Sequence, residues 1–189
     1  MNRINYVNLL LGRRGTGKTY YLLNELIPTY QKHRPDMKIL IMDTFENPGY
    51  KHIAKIDSKK IKVWVRPGSI YKVYGSNTKE ILADIQEDAS NMLIIFEDAT
   101  KYIKKVLQED VRKFIIDSKQ KNLDLIFLFH GFSSTPPELF RLADTLTMFR
   151  TDNPIYRKSD IIEYDLVSSL FKKIKNSKNK YAKATLQLQ

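Results

Sequence analysis

Val7-Asn8-Leu9-Leu10-Leu11-Gly12-Arg13-Arg14-Gly15-Thr16-Gly17-Lys18-Thr19 is the stretch that decides the fold of this chain of 189 residues. Ile4 and Tyr6 to Leu11 make a short apolar run closing on glycine, and Leu22, Leu23, Leu26, Ile27 and Tyr30 follow at helical spacing. The reading is strand, glycine-rich turn, helix, with Pro28 expected to bend or end that helix early because it lacks a backbone donor. Gly12 to Thr19 satisfies G-x-x-x-x-G-K-[ST] at each required position. Glycines at those places let successive backbone N–H groups turn inward around phosphates, and the helix start adds the positive end of its dipole. Lys18 would then reach the β and γ phosphates of ATP, and the Thr19 hydroxyl would ligate Mg2+. The candidate nucleotide-binding residues are Gly12, Arg13, Arg14, Gly15, Thr16, Gly17, Lys18, Thr19 and Tyr20. Arg13 and Arg14 occupy variable positions, where they add charge beside the nucleotide or are simply solvated.

Downstream, strand and helix signals alternate. Ile39 to Met42 reads as a buried strand closing at Asp43, Lys62 to Val65 as a further strand cut by Pro67-Gly68, and Tyr71 to Tyr74 as strand-like. Thr78 to Ala89 places Ile81, Leu82, Ile85 and Ala89 on one helical face, with Asn77 or Thr78 as cap. Met92 to Phe96 and Leu125 to Phe129 are unbroken apolar runs, the pattern of strands buried on both faces of a parallel sheet. Val106 to Lys119, Pro136 to Leu142 and Ile161 to Ile174 read as helices, and Thr145 to Phe149 as a last strand. This order predicts an α/β domain with a mainly parallel sheet and crossover helices on its faces.

Met92 to Phe96 leads into Glu97-Asp98. Two carboxylates at the end of a buried strand suit a site where one steadies a metal ion and the next orients an attacking water. Leu125 to Phe129 likewise ends in a polar side chain, His130.

These residues resemble the additional-strand branch of P-loop ATPases, and in particular the FtsK and HerA group, which includes viral genome-packaging motors and Zot-like phage assembly proteins. The resemblance covers roughly Asn5 to Arg150. It implies a three-layer P-loop NTPase fold, ATP with Mg2+ as the nucleotide, and a homo-oligomeric ring that moves nucleic acid, DNA above all. Virion or portal components are implied as further partners. By position, Glu97 would join Thr19 on the metal and Asp98 would be the catalytic carboxylate, although the group usually carries Asp before Glu. His130 takes the place of the sensor, commonly a glutamine. An arginine donated by a neighbouring subunit is usual in such rings, and Arg112, Arg141 and Arg150 are the candidates, with Arg150 following the last strand. Two other readings share the same loop: a Zot-like phage assembly ATPase, and a small nucleotide kinase or other phosphotransferase. A nucleotide-binding module without catalysis also fits the reversed acidic pair.

Composition is consistent with a nucleic-acid partner. Lys plus Arg is 32 against 21 for Asp plus Glu, a balance of +11, which favours polyanions through phosphate neutralisation and counterion release. From Val167 to Gln189 the chain carries Lys172, Lys173, Lys175, Lys178, Lys180 and Lys183 and no acidic residue, so 1–166 reads as the ATPase domain and 167–189 as a basic helix end and tail. A second basic group, Lys51, Lys55, Lys59, Lys60, Lys62 and Arg66, contains only Asp57. There is no cysteine, which rules out disulfide staples and thiolate metal sites. No run approaches the roughly 18 apolar residues of a membrane span, and because Met1-Asn2-Arg3 leads straight into a strand-like run, a signal peptide is not expected. A cytoplasmic or, for a viral protein, virion-associated location is expected.

Overall fold

The computed structural model describes residues 5–43, 46–152, 155, 158–161 and 163–188. Seven strands, β1 (Val7–Leu11), β2 (Lys38–Met42), β3 (Ile70–Val73), β4 (Met92–Phe96), β5 (Leu123–Phe129), β6 (Thr145–Phe149) and β7 (Lys183–Gln187), form one sheet in the order β3-β2-β4-β5-β1-β6-β7. All pairings are parallel except the last, in which β7 runs antiparallel to β6. The position of β5 matters most. It lies between β1, which feeds the glycine-rich loop, and β4, which feeds the acidic pair.

Side-chain alternation sends successive strand residues to opposite faces, and both faces are covered. On one face Leu9, Leu40, Ile94, Phe127 and Leu146 pack against α3 (Thr78–Asp88), α4 (Glu109–Asp117), α5 (Leu139–Leu142) and α6 (Tyr164–Lys175). On the other, Leu10, Ile41, Ile95 and Leu128 meet Leu22 and Ile27 of the helix that follows the loop. Burial on both sides explains why β4 and β5 carry no alternation: each of their residues is buried, Asp124 included. Asp124 is tolerated there because it accepts from the Tyr6 backbone N–H, the Tyr30 hydroxyl and Arg34.

Pro28 does not end its helix. α1 (Lys18–Tyr21) passes through a π turn (Leu22–Leu26) directly into α2 (Ile27–His33). The Ile27 N–H donates to Leu22 five residues back, so the widened turn sets Pro28 near the start of a fresh α register, where a missing donor costs little.

Lys62 to Val65 is not a strand. Val63 and Val65 are largely exposed while Ile61 and Trp64 are buried, and the segment turns back so that the Trp64 carbonyl accepts from Lys38 and its indole donates to Ser69. The Val106 to Lys119 helix starts only at Glu109, with Val106 left exposed and two acids in the first turn, where the dipole favours them. The closing helix begins at Tyr164; Ile162 lies outside the described residues. The basic C-terminal stretch is not a solvated tail in its described part. Val167, Ile174 and Leu188 are buried, and Ala184 to Gln187 lie in register with Thr145 to Met148.

Candidate nucleotide site

The loop after β1 is pinned at its base. The Gly12 N–H donates to the Phe129 carbonyl at the end of β5, and the Arg13 N–H donates to the Arg150 carbonyl just past β6. At Gly12 an added Cβ would meet the Phe149 Cβ at 2.6 Å, so a side chain there would push the loop off the sheet. Gly15 and Gly17 are glycine for a different reason. Their φ angles of 75° and 94° lie in the left-handed region, and at Gly15 there is open space around the missing Cβ, so conformation and not crowding sets the residue. The Thr16 hydroxyl donates to the Arg13 carbonyl at 2.8 Å and braces the turn from below.

Lys18 emerges from this loop almost fully buried, its Nζ donating to the Gly12 carbonyl and, at 3.2 Å, to that of Arg13. Burial draws its pKa down to about 8, against the attraction of Glu97 and Asp98 and with the help of Arg14. A desolvated ammonium facing two carboxylates gains most from a polyanion placed between them.

Opposite, Glu97 is held by the Tyr50 hydroxyl at 2.9 Å and the Asn47 amide at 3.3 Å. Burial pushes its carboxyl up, the hydrogen bonds and Lys18 pull against that, and the Asp43 charge adds to the rise. Tyr50 also takes a hydrogen bond from Thr19, so one buried phenol joins the loop threonine to the acidic strand end. The turn Pro48–Tyr50 that carries it packs tightly on Thr19: a Cβ at Gly49 would approach the Thr19 methyl to 2.9 Å.

Asp98 adopts the left-handed backbone, φ 47°, which turns its side chain away from that of Glu97 and toward β5. It accepts from the His130 Nε2 at 3.0 Å, the Thr100 hydroxyl at 2.5 Å and the Lys101 ammonium at 2.9 Å. Burial alone would raise its pKa, but those three donors together outweigh burial and hold the carboxyl below the usual carboxylate range.

A cavity of about 570 Å3 gathers Arg13, Arg14, Gly15, Gly17, Lys18, Thr19, Tyr20, Glu97, Asp98 and His130, which lie far apart in the chain. Gly12 and Thr16 lie beneath it as loop supports. Arg150 stands behind the loop, holding it through its carbonyl; its Nε is buried with no hydrogen-bond partner among the described residues, as is His130 Nδ1. Arg112 pairs with Glu138 at 2.6 Å, and Arg141 donates to the Ser159 carbonyl. Neither of these two lines the cavity.

Sequence reading missed Asp43, Asn47, Tyr50, Lys101 and Tyr181. Asp43 carried a usable signal, a carboxylate ending a buried strand. It is buried beside Lys72, with 3.9 Å between their charged atoms, and accepts from the Asn47 N–H. The other four sit on turns that no periodicity marks.

The arrangement matches solved structures. The genome packaging NTPase B204 from Sulfolobus turreted icosahedral virus 2, in complex with ATP-gammaS, superposes with a TM-score of 0.74 at 18% identity, covering 100% of this chain and 94% of that one. The chain has the fold of the P-loop NTPases. The same B204 with AMP gives 0.77 at 18% identity over 100% and 94% of the two chains. The N-terminal domain of zonular occludens toxin from Neisseria meningitidis gives 0.51 at 11% identity over 79% and 78%. No protein-family model matches the sequence, and no curated protein matches it either. The fold is thus shared with proteins that have little sequence in common with this one.

Proposed function

We propose that this chain is an ATP hydrolase whose turnover drives the movement of nucleic acid, as in viral or mobile-element genome packaging. One observation carries the proposal: a buried cationic lysine on a glycine-built loop faces two partly buried carboxylates across a cavity large enough for a nucleotide. The role of B204 in genome packaging supplies the direction of the reading.

The residues fit a Mg2+–triphosphate. Thr19 and Glu97 present oxygen donors, the kind that a hard cation prefers, and Glu97, whose carboxyl burial pushes up, would stay ionised more readily beside a cation. Thr19 and Glu97 would hold the metal ion, which supplies charge neutralisation at the phosphate oxygens. Inward N–H groups of Gly15 to Thr19 bind the phosphates, and Lys18 bridges to the terminal group. Asp98 orients the attacking water: an ionised carboxylate has about four acceptor positions, and three of them are taken by His130, Thr100 and Lys101. His130 fixes the direction of that carboxylate. Arg150, or another arginine supplied by a neighbouring subunit of a ring, would meet charge developing in the transition state.

The deciding experiment is ATPase activity of the purified protein with and without single- and double-stranded DNA, read beside its solution mass. Hydrolysis stimulated by DNA in an oligomer supports translocation. Phosphate transfer to an added nucleoside or nucleotide, with no effect of DNA, would make it a kinase instead. For the Zot-like alternative the described residues offer no helix long and apolar enough to cross a membrane.

A pH dependence arises from Lys18. Phosphate binding needs its charged form, and the free protein loses that proton at about pH 8. ATP affinity should therefore hold between pH 7 and 8 and fall above that, approaching tenfold per pH unit, because each binding event must take up a proton. Titration with a fluorescent ATP analogue across this range checks it; constant affinity to roughly pH 9 would contradict the assigned charge.

A further inference from the structure

The segment between α6 and β7, which sequence reading assigns to a tail, reaches back over the glycine-rich loop. Tyr181 stands there, its ring edge 3.3 Å from where a Cβ on Gly17 would lie. The turn that presents it is built: the Asn179 side chain accepts from the Tyr181 N–H at 2.9 Å, and the Asn179 carbonyl accepts from the Ala182 N–H. Pairing of β7 with β6 anchors the chain immediately beyond this turn.

Behind the loop lies a second cavity of about 420 Å3. Gly17, Tyr20 and Tyr181 line both this space and the one that holds Lys18, Glu97 and Asp98. Two tyrosines thus line both cavities, and both are well exposed, Tyr20 at 68% and Tyr181 at 54%. Exposed aromatic faces beside a phosphate cradle are unexplained by packing. They fit a flat heterocycle, which stacks on a tyrosine ring with offset geometry. Lys180 Nζ lies over one face of the Tyr181 ring, 4.7 Å from its centroid, so a heterocycle would stack on the opposite face.

We propose that Tyr181, with Tyr20, forms the base-binding site of the nucleotide, and that the base is a purine, whose two fused rings use more of the aromatic surface than a pyrimidine does. This rests on the phosphate-loop reading and adds to it a source of nucleotide selectivity contributed by the C-terminal hairpin. Stacking is blind to hydrogen-bond pattern, so the site discriminates ring size and accepts any purine.

The test compares equilibrium binding of ATP, CTP and inorganic tripolyphosphate to the full chain and to Tyr181→Ala and Tyr181→Phe. In the unmodified protein ATP should bind more tightly than CTP and tripolyphosphate. Tyr181→Ala should weaken ATP about tenfold, at the lower end of the range for losing one stacking ring, and leave tripolyphosphate within about twofold. Tyr181→Phe, which keeps the ring, should bind ATP like the unmodified protein. Equal loss of ATP and tripolyphosphate in Tyr181→Ala, or no loss of either, overturns the base site. Failure of the unmodified protein to hold tripolyphosphate at all sinks the phosphate-loop reading, and the base site falls with it.

Discussion

Lys18→Ala is expected to reduce ATP hydrolysis by at least about a thousandfold and to weaken ATP binding. The side chain is buried between the Gly12 and Arg13 carbonyls on one side and the Glu97 and Asp98 charges on the other. Removing it leaves a triphosphate facing two carboxylates with no fixed protein cation between them. The structural cost is small by comparison. Burial of the ammonium opposes folding at neutral pH, because its folded pKa, about 8, lies below the ordinary lysine value of 10.5. The unfolded chain therefore binds more protons between those values, so this group adds stability as pH rises through them and works against the fold below. Alanine removes that cost but takes the Lys18 donor from the Gly12 carbonyl, while the Arg13 carbonyl keeps the Thr16 hydroxyl, and the two effects offset. The melting temperature of the unliganded variant should stay near that of the unmodified protein, while its ATP affinity loses the decline above pH 8. Normal turnover by a folded Lys18→Ala protein would dismiss the site.

The fold was legible where buried strands demand a particular pattern. Met92 to Phe96 and Thr145 to Phe149 are strands over the residues that their apolar runs mark, and Ile70–Val73 and Leu123–Phe129 differ from expectation only at their ends. Where apolar residues serve a turn, the same logic misled. Val63 and Val65 resemble one face of a strand, yet the buried partners are Ile61 and Trp64, spaced as in a tight turn. The strand Lys183–Gln187 was illegible because its burial alternates only partially and its lysine reads as solvated; what holds it is the backbone ladder to β6 and pairing of Lys183 with Glu25.

The site shows the same division. Glycines needed for positive φ, a lysine, a threonine and two strand-end acids can be recognised because chemistry fixes their spacing, and all of them come together around one cavity or directly beneath it. Tyr50 could not be recognised. Its phenol connects Thr19 to Glu97 from a three-residue turn, and only the packing of Gly49 on the Thr19 methyl brings it there. Tyr181 escaped for a similar reason: it reaches the loop through a hairpin whose sequence gives no sign of where it folds.

Asp98→Asn is expected to lower turnover about a hundredfold or more while leaving ATP binding unchanged or somewhat tighter. In the protein the carboxylate accepts on one oxygen from His130 and Thr100 and on the other from Lys101. An amide in its place must turn an NH2 group either toward the Lys101 ammonium, setting donor against donor, or toward the two donors on the other side. Either choice rotates the group and removes the remaining acceptor position that would orient water. Binding is spared because Asp98 belongs to the strand end, not to the loop of N–H groups, and loss of a negative charge near the phosphates reduces repulsion. Since the three donors hold Asp98 well below the usual carboxylate range, its protonation should not limit turnover in mildly acidic solution. A decline in activity on acidification would have to come from another group, and Glu97, whose carboxyl burial pushes up, is the group to examine. Single-turnover hydrolysis beside equilibrium ATP binding separates the two effects. Equal turnover in the asparagine variant would move the catalytic carboxylate to Glu97, and with it the order of roles along the Glu97-Asp98 pair.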